Sequence, residues 1–205
     1  MGEEMIKVIM FDFGGVYFTE GYPLYVKQFH KKYGIPKEKL EYCFSVSGPL
    51  GDYSAGKIDK KKFWKRATEY LNIDKKIVKS MEPLRWTSFK PIKGMKRLVA
   101  KLRKKYKIIL VSGNEVDRVK FLNKKYKFLK NFDQHFFTYE YRTNKPDAKL
   151  CEIAIWTMKV KPTECVMVDD VSSYLENCRK LGVHTILFRN PEQFKKSLKK
   201  LGVSI

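Results

Sequence analysis

Four short apolar runs constrain this chain more than any other feature, because each leads to a residue able to do chemistry. The first, Val8 to Phe11, delivers Asp12 and then breaks at Gly14 and Gly15. Apolar residues running into a glycine pair read as a buried strand closed by a tight turn. The second, Ile108 to Asn114, repeats that grammar with Ser112 followed by Gly113. The third, Phe132 to Tyr139, is aromatic and precedes the stretch RTNKPDAKL, which holds Lys145. The fourth, Glu164 to Asp170, finishes in two adjacent carboxylates, Asp169 and Asp170. A last run, Thr185 to Phe188, closes the series.

Helical patterns separate the runs. After Gly94, residues 95–106 turn Met95, Leu98, Val99 and Leu102 inward. Further helices are expected over 115–122, from Lys145 and Pro146 to Met158, over 172–181 and over 192–201. Strands alternating with helices predict a parallel sheet with helices on both faces. Ligands of such sheets bind beyond the carboxyl ends of the strands. Asp12, Ser112, Lys145 and Asp170 are therefore expected on one edge. Each is a weak signal alone; their order at four strand ends is a strong one.

Between Tyr17 and Phe89 the pattern gives helices and no strand. One runs over 24–33 and stops at Gly34, and Pro36 starts a second to Phe44. Ser47 to Gly56 reads as a loop. Asp59 is the expected N-cap of a helix over 60–71 with Phe63, Trp64, Ala67 and Leu71 as its apolar stripe. Asp74 caps a fourth, ending near Met81. The aromatics of this segment read as its own core, with Tyr53, Phe63 and Trp64 as candidates to face a ligand.

Adjacent acids repel and call for a cation. Magnesium takes oxygen ligands, often one or two carboxylates with substrate phosphate oxygens. Asp12 and Asp170 fit such a cradle. The plainer use of Asp169 or Asp170 is to cap the helix at Ser172, and the two uses are compatible. Lys145, fixed before a helix start near carboxylates, suits charge balancing.

The 205 residues carry a net charge of +21. Either a nucleic-acid partner or a lysine-rich solvated surface accounts for that. The basic residues are spread over 60–66, 101–107, 124–130 and 195–200, with no arginine-rich arm, which favours solvated faces. A positive field also steers phosphate substrates inward. The cysteines Cys43, Cys151, Cys165 and Cys178 lack close pairing and read as reduced, buried thiols, and His30, His135 and His184 suggest no zinc site. No apolar run is long enough for a membrane span. The acidic start MGEEMIKVIMFD is unlike a secretory signal, so a cytoplasmic location is expected. The oligomeric state is open.

The motifs FDFGGV, LVSGN, NKPD and VMVDD together resemble those of the haloacid dehalogenase-like hydrolase superfamily across nearly the whole chain. The resemblance implies an α/β fold with a Rossmann-like core over 1–16 and 90–205. It also implies a helical cap over 17–89, similar to that of sugar-phosphate phosphatases and the phosphatase domain of soluble epoxide hydrolase. GKIDKKKFW and LENCRKLGVHTILF also look like that branch. It implies Asp12 as nucleophile, Asp170 as direct magnesium ligand, Asp169 as its neighbour and the Gly14 carbonyl as a further ligand. Ser112 with the N–H of Gly113 or Asn114 would hold phosphoryl oxygens, and Lys145 would neutralise charge.

One position departs from the pattern. Phosphatases of the superfamily usually carry a second aspartate, a general acid and base, where this chain has Gly14. Such help is worth about 10²- to 10⁴-fold in rate. The expectation is a slower phosphatase, a substrate with a good leaving group, or an acid from elsewhere, with Glu20 as candidate. Tyr174 also stands where a small polar residue is usual. The leading reading is a magnesium-dependent phosphatase of a small phosphorylated metabolite, acting through an aspartyl-phosphate. The alternatives are a non-catalytic or RNA-binding protein on the same scaffold and, less favoured, a metal-free dehalogenase.

Overall fold

The computed structural model describes residues 5–205; the acidic start, residues 1–4, lies outside the described residues. In chain order the elements are β1 (Val8–Phe11), α1 (Tyr22–Tyr33), α2 (Lys37–Cys43), α3 (Pro49–Ser54), α4 (Lys60–Leu71), α5 (Val78–Thr87), α6 (Met95–Leu102), β2 (Lys107–Ser112) and α7 (Val116–Tyr126). Then come β3 (Gln134–Phe137), α8 (Thr138–Tyr141), α9 (Lys149–Met158), β4 (Cys165–Asp169), α10 (Ser172–Lys180), β5 (His184–Leu187) and α11 (Pro191–Lys200).

The five strands form one parallel sheet in the order β3-β2-β1-β4-β5. Successive side chains of a strand point to opposite faces. Ile9 and Phe11 of β1 accordingly join one core with Met95, Leu98 and Leu102 of α6 and Phe194 of α11. Val8 and Met10 join the other with Leu150, Cys151 and Ala154 of α9 and Leu175 and Cys178 of α10. Burial on both faces is why β1 and β4 are nearly continuous apolar runs rather than alternating ones. The chain moves outward from β1 to β2 and β3, then returns to place β4 on the other side of β1. That reversal puts the crevice of this Rossmann-like sheet between β1 and β4.

Local chemistry sets several boundaries as expected. Gly34 ends α1 in the left-handed region at φ 67°, and the Asp59 carboxylate accepts from the Lys62 N–H at 2.7 Å to start α4. All four cysteines are free and buried. Among the described residues no helix is long and apolar enough to cross a membrane.

Other boundaries differ from the sequence pattern. The expected loop over 47–56 contains α3, with Pro49 in its first turn. Its glycines allow close backbone approach rather than a turn: a Cβ on Gly48 would lie 1.8 Å from the Tyr42 carbonyl oxygen. The helix expected to end near Met81 runs through Pro83 to Thr87. An interior proline costs about 3 kcal/mol, and the helix nevertheless continues past it to bury Arg85. The helix expected over 95–106 ends at Leu102. The strand expected over 132–139 is only β3, because the chain turns into α8 at Thr138. The helix expected from Lys145 is two pieces: a 3-10 turn, Lys145–Asp147, and α9, separated by Ala148 at φ 58°.

Candidate active site

Register places the acids. Phe11 pairs with Leu110 on one side and Val168 on the other, so Asp12 and Asp169, each one residue on, emerge side by side. The Asp12 N–H donates to the Val168 carbonyl at 2.9 Å. Asp169 is fully buried, and its Oδ1 accepts from the Val171 N–H at 2.8 Å. Ligand atoms of Asp12, Asp169 and Asp170 all lie within 4.8 Å of one another. Lys145 reaches in from the turn after β3, its Nζ 2.6 Å from Asp12 Oδ1 and 2.5 Å from Asp169 Oδ2. The left-handed Ala148 resets the chain direction so that the turn presents this lysine while α9 packs on the sheet.

Three carboxylates and one lysine leave two negative charges in excess. Burial raises Asp170 to about 7, with Asp12 and then Asp169 adding repulsion. Burial also raises Asp169 to about 6; Lys145 opposes the rise and Asp12 adds to it. Burial pulls Lys145 down, but Asp12 and Asp169 outweigh it and hold the ammonium above its usual range. Gly15 keeps this cluster open: its φ is +77°, and a Cβ there would lie 1.9 Å from Asp170 Oδ2. An all-oxygen, doubly anionic cradle of this kind fits a hard divalent cation.

The cluster opens into a cleft of about 250 Å³ between the sheet edge and the inserted helices. Asp12, Gly14, Gly113, Lys145 and Asp170 form its floor. Tyr22, Tyr25, Phe44, Val46 and Leu50 give it an apolar wall, and Glu20, Phe89 and Arg118 also line it. Larger surface clefts of about 680, 600 and 430 Å³ lie elsewhere and hold none of the clustered acids. The smaller one is chosen on its chemistry, not its size.

Ser112 and Asn114 sit at the end of β2 but are buried and off the cleft wall. The Asn114 N–H donates to Thr138 Oγ1 at 3.3 Å, and its side-chain oxygen accepts from Arg118 Nε at 2.6 Å. Of the two amides singled out from sequence, Gly113 and Asn114, Gly113 is the residue beside the cavity. The inserted aromatics singled out from sequence take other places. The Tyr53 hydroxyl donates to Asp117 Oδ2 at 2.5 Å, while Phe63 and Trp64 pack in the interior.

The sequence pattern missed a buried charge network behind the wall. Arg85 Nη2 meets Glu115 Oε1 at 2.5 Å, with both side chains almost fully buried. The guanidinium of Arg85 lies 4.8 to 5.7 Å from the ring centroids of Phe44, Phe63, Trp64 and Tyr25. Arg118 joins from α7 and stacks on Phe89 at 4.5 Å. No local signal marks these residues, since an arginine and a glutamate thirty positions apart read as ordinary helix surface.

A family model described as haloacid dehalogenase-like hydrolase matches residues 9–188. Over 57 residues, 28% of this chain, the sequence is 37% identical to bifunctional epoxide hydrolase 2 of Sus scrofa, and that match spans 10% of the pig protein. A predicted HAD-like family hydrolase from Porphyromonas gingivalis has a similar structure, with TM-score 0.78 and 20% identity over 98% of this chain and 100% of that one. A HAD family enzyme from Bacteroides thetaiotaomicron, solved in complex with magnesium and inorganic phosphate, matches with TM-score 0.78 and 21% identity over 91% of this chain and 96% of that one.

Proposed function

The chain belongs to the haloacid dehalogenase-like hydrolase family, and on that premise we propose that it is a magnesium-dependent phosphatase of a small phosphorylated metabolite. The observation that carries this reading is the meeting of Asp12, Asp169 and Asp170 with Lys145 at the floor of a small cleft. A structurally similar family enzyme that binds magnesium and inorganic phosphate supports it. Residues 17–89, as a helical cap over a core of 1–16 and 90–205, would close the cleft and exclude water.

In this mechanism Asp12 attacks phosphorus and forms an aspartyl-phosphate, and the substrate's alkoxide or carboxylate departs. Water then hydrolyses the acyl phosphate and restores Asp12. Lys145, 2.6 Å from Asp12 Oδ1, screens the repulsion between nucleophile and phosphate. The Gly113 N–H, at the end of β2 with Ser112 and Asn114, receives a phosphoryl oxygen. Asp12, Asp170 and the Gly14 carbonyl would hold magnesium with Asp169 behind them, and the ion supplies Lewis-acid neutralisation of phosphate charge.

Gly14 offers no proton to the departing group. Glu20 lines the same cleft and is the carboxyl there that has no other role in this reading. A substrate with a good leaving group, such as an acyl or anomeric phosphate, removes the need. The Asp169–Asp170 pair favours this chemistry over metal-free dehalogenation, which has no use for a divalent cation.

The test is hydrolysis of an activated aryl phosphate and of acetyl phosphate, with and without magnesium, by the native chain and by Asp12→Asn. Magnesium-dependent turnover that disappears in the variant is expected. A folded native chain that turns over neither compound sinks the proposal.

A further inference from the structure

Two arginines share one carboxylate oxygen behind the cleft. Glu115 Oε1 lies 2.5 Å from Arg85 Nη2 but 3.7 Å from Arg118 Nη1. Arg85 is enclosed by aromatic rings and almost fully buried, and it is the nearer partner of the glutamate. One carboxylate neutralises one guanidinium, and a positive charge is left over on Arg118. Among the described residues Arg118 has no other ion pair. Its Nε is held by Asn114, a neutral acceptor, and its plane rests on Phe89. Burial pulls its guanidinium below the usual range. A buried cation with an incomplete counter-charge is costly, and a bound anion relieves that cost.

Among the described residues Arg118 is also the cleft's only arginine or lysine apart from Lys145, which is already bridged between Asp12 and Asp169. Its place follows from Phe89. A Cβ on Gly14 would meet the Phe89 ring at 3.6 Å, and Arg118 stacks on that ring. One aromatic ring therefore separates the turn after the nucleophile from the guanidinium. A phosphoryl group at Asp12 leaves Arg118 beside what the phosphate is attached to. A guanidinium offers the planar fork that suits carboxylates and phosphates, and it lines the same cleft, about 250 Å³, as the clustered acids.

We infer that Arg118 is a specificity-determining residue that binds a second anionic group, a carboxylate or a phosphate, on the leaving-group side of a small substrate. This rests on the phosphatase reading for the place of the phosphoryl group, and it narrows the substrate class to small phosphate esters or acyl phosphates bearing two separated anions.

The experiment compares binding of ethylphosphonate, phosphonoacetate and methylenediphosphonate to the native chain, Arg118→Gln and Arg118→Lys. Calorimetry is run at fixed free magnesium, and circular dichroism checks that each variant is folded. A charged hydrogen-bonded contact is worth roughly ten- to a hundredfold in affinity. The native chain should prefer a two-anion ligand to ethylphosphonate by that factor, and which of the two it prefers separates carboxylate from phosphate. Arg118→Gln should collapse the preference toward one, and Arg118→Lys should keep part of it. Equal native affinities, absence of binding, or a preference unchanged in Arg118→Gln overturns the inference. Aryl phosphate hydrolysis on the same samples separates the two ideas: turnover without ligand preference defeats only the role of Arg118, and preference without turnover defeats only the phosphatase reading.

Discussion

At the floor of the cleft three carboxylates meet one lysine; in its wall two arginines meet one glutamate behind a layer of aromatic rings. The floor carries surplus negative charge beside solvent, the wall surplus positive charge in the interior. The floor is assembled by backbone regularity, because parallel register carries strand ends to one level. The wall is assembled by packing, because α5 meets the start of α7 through the Arg85–Glu115 ion pair, thirty residues apart in sequence, and through the Trp86–Phe121 ring contact. Opposite surpluses facing one cavity are what a ligand with a metal-binding end and an anionic far end requires.

The largest expected effect comes from breaking the wall. Arg85→Met leaves Glu115 buried with a weakened partner and should cost about 3–5 kcal/mol, read by urea denaturation. Arg85→Met with Glu115→Leu should recover much of that loss. A double variant as unstable as the two single losses added would mean that the pair does not join the helices as described.

The floor breaks more locally. Gly15→Ala forces a side chain into the left-handed region, at about 1–2 kcal/mol, and drives its methyl into Asp170. The expected outcome is a small drop in Tm with loss of the stabilisation that magnesium gives the native chain. A variant that keeps the full magnesium response would show that Asp170 is not a ligand.

The floor should also respond to pH. Asp169 and Asp170 have folded values near 6 and 7, above their ordinary value of 3.8. The folded chain thus holds protons that the unfolded chain releases, and metal-free stability should fall as pH rises from about 4 to about 7. Magnesium competes with those protons, so its shift in Tm should be larger at pH 7.5 than at pH 5. A magnesium shift independent of pH would break the link. Asp59→Ala gives the smallest effect: loss of the α4 cap costs about 1 kcal/mol and should leave the magnesium response intact.

Much of the floor was legible in the sequence. Asp12 and the Asp169–Asp170 pair stand at the ends of buried runs, and such runs become neighbouring strands wherever helices alternate between them. Lys145 was legible by place, although the left-handed Ala148 that aims it was not. Helix α3 was hidden because Gly48 and Gly51 look like loop residues yet serve backbone contact. The continuation of α5 through Pro83 was hidden because a proline normally ends a helix, whereas Arg85 beyond it packs against Tyr25, Phe44, Phe63, Trp64 and Glu115, all distant in sequence.

By itself, then, the sequence determined the parallel α/β sheet, its chemical edge and the acids on it, since hydrophobic period and strand-end position act over a few residues. Only the tertiary structure decided which aromatics line the cleft and which are core, and that Arg118 rather than Tyr53, Phe63 or Trp64 lines it. Those outcomes depend on which distant side chains share one buried charge, and desolvation energy of that kind has no local signature in a chain.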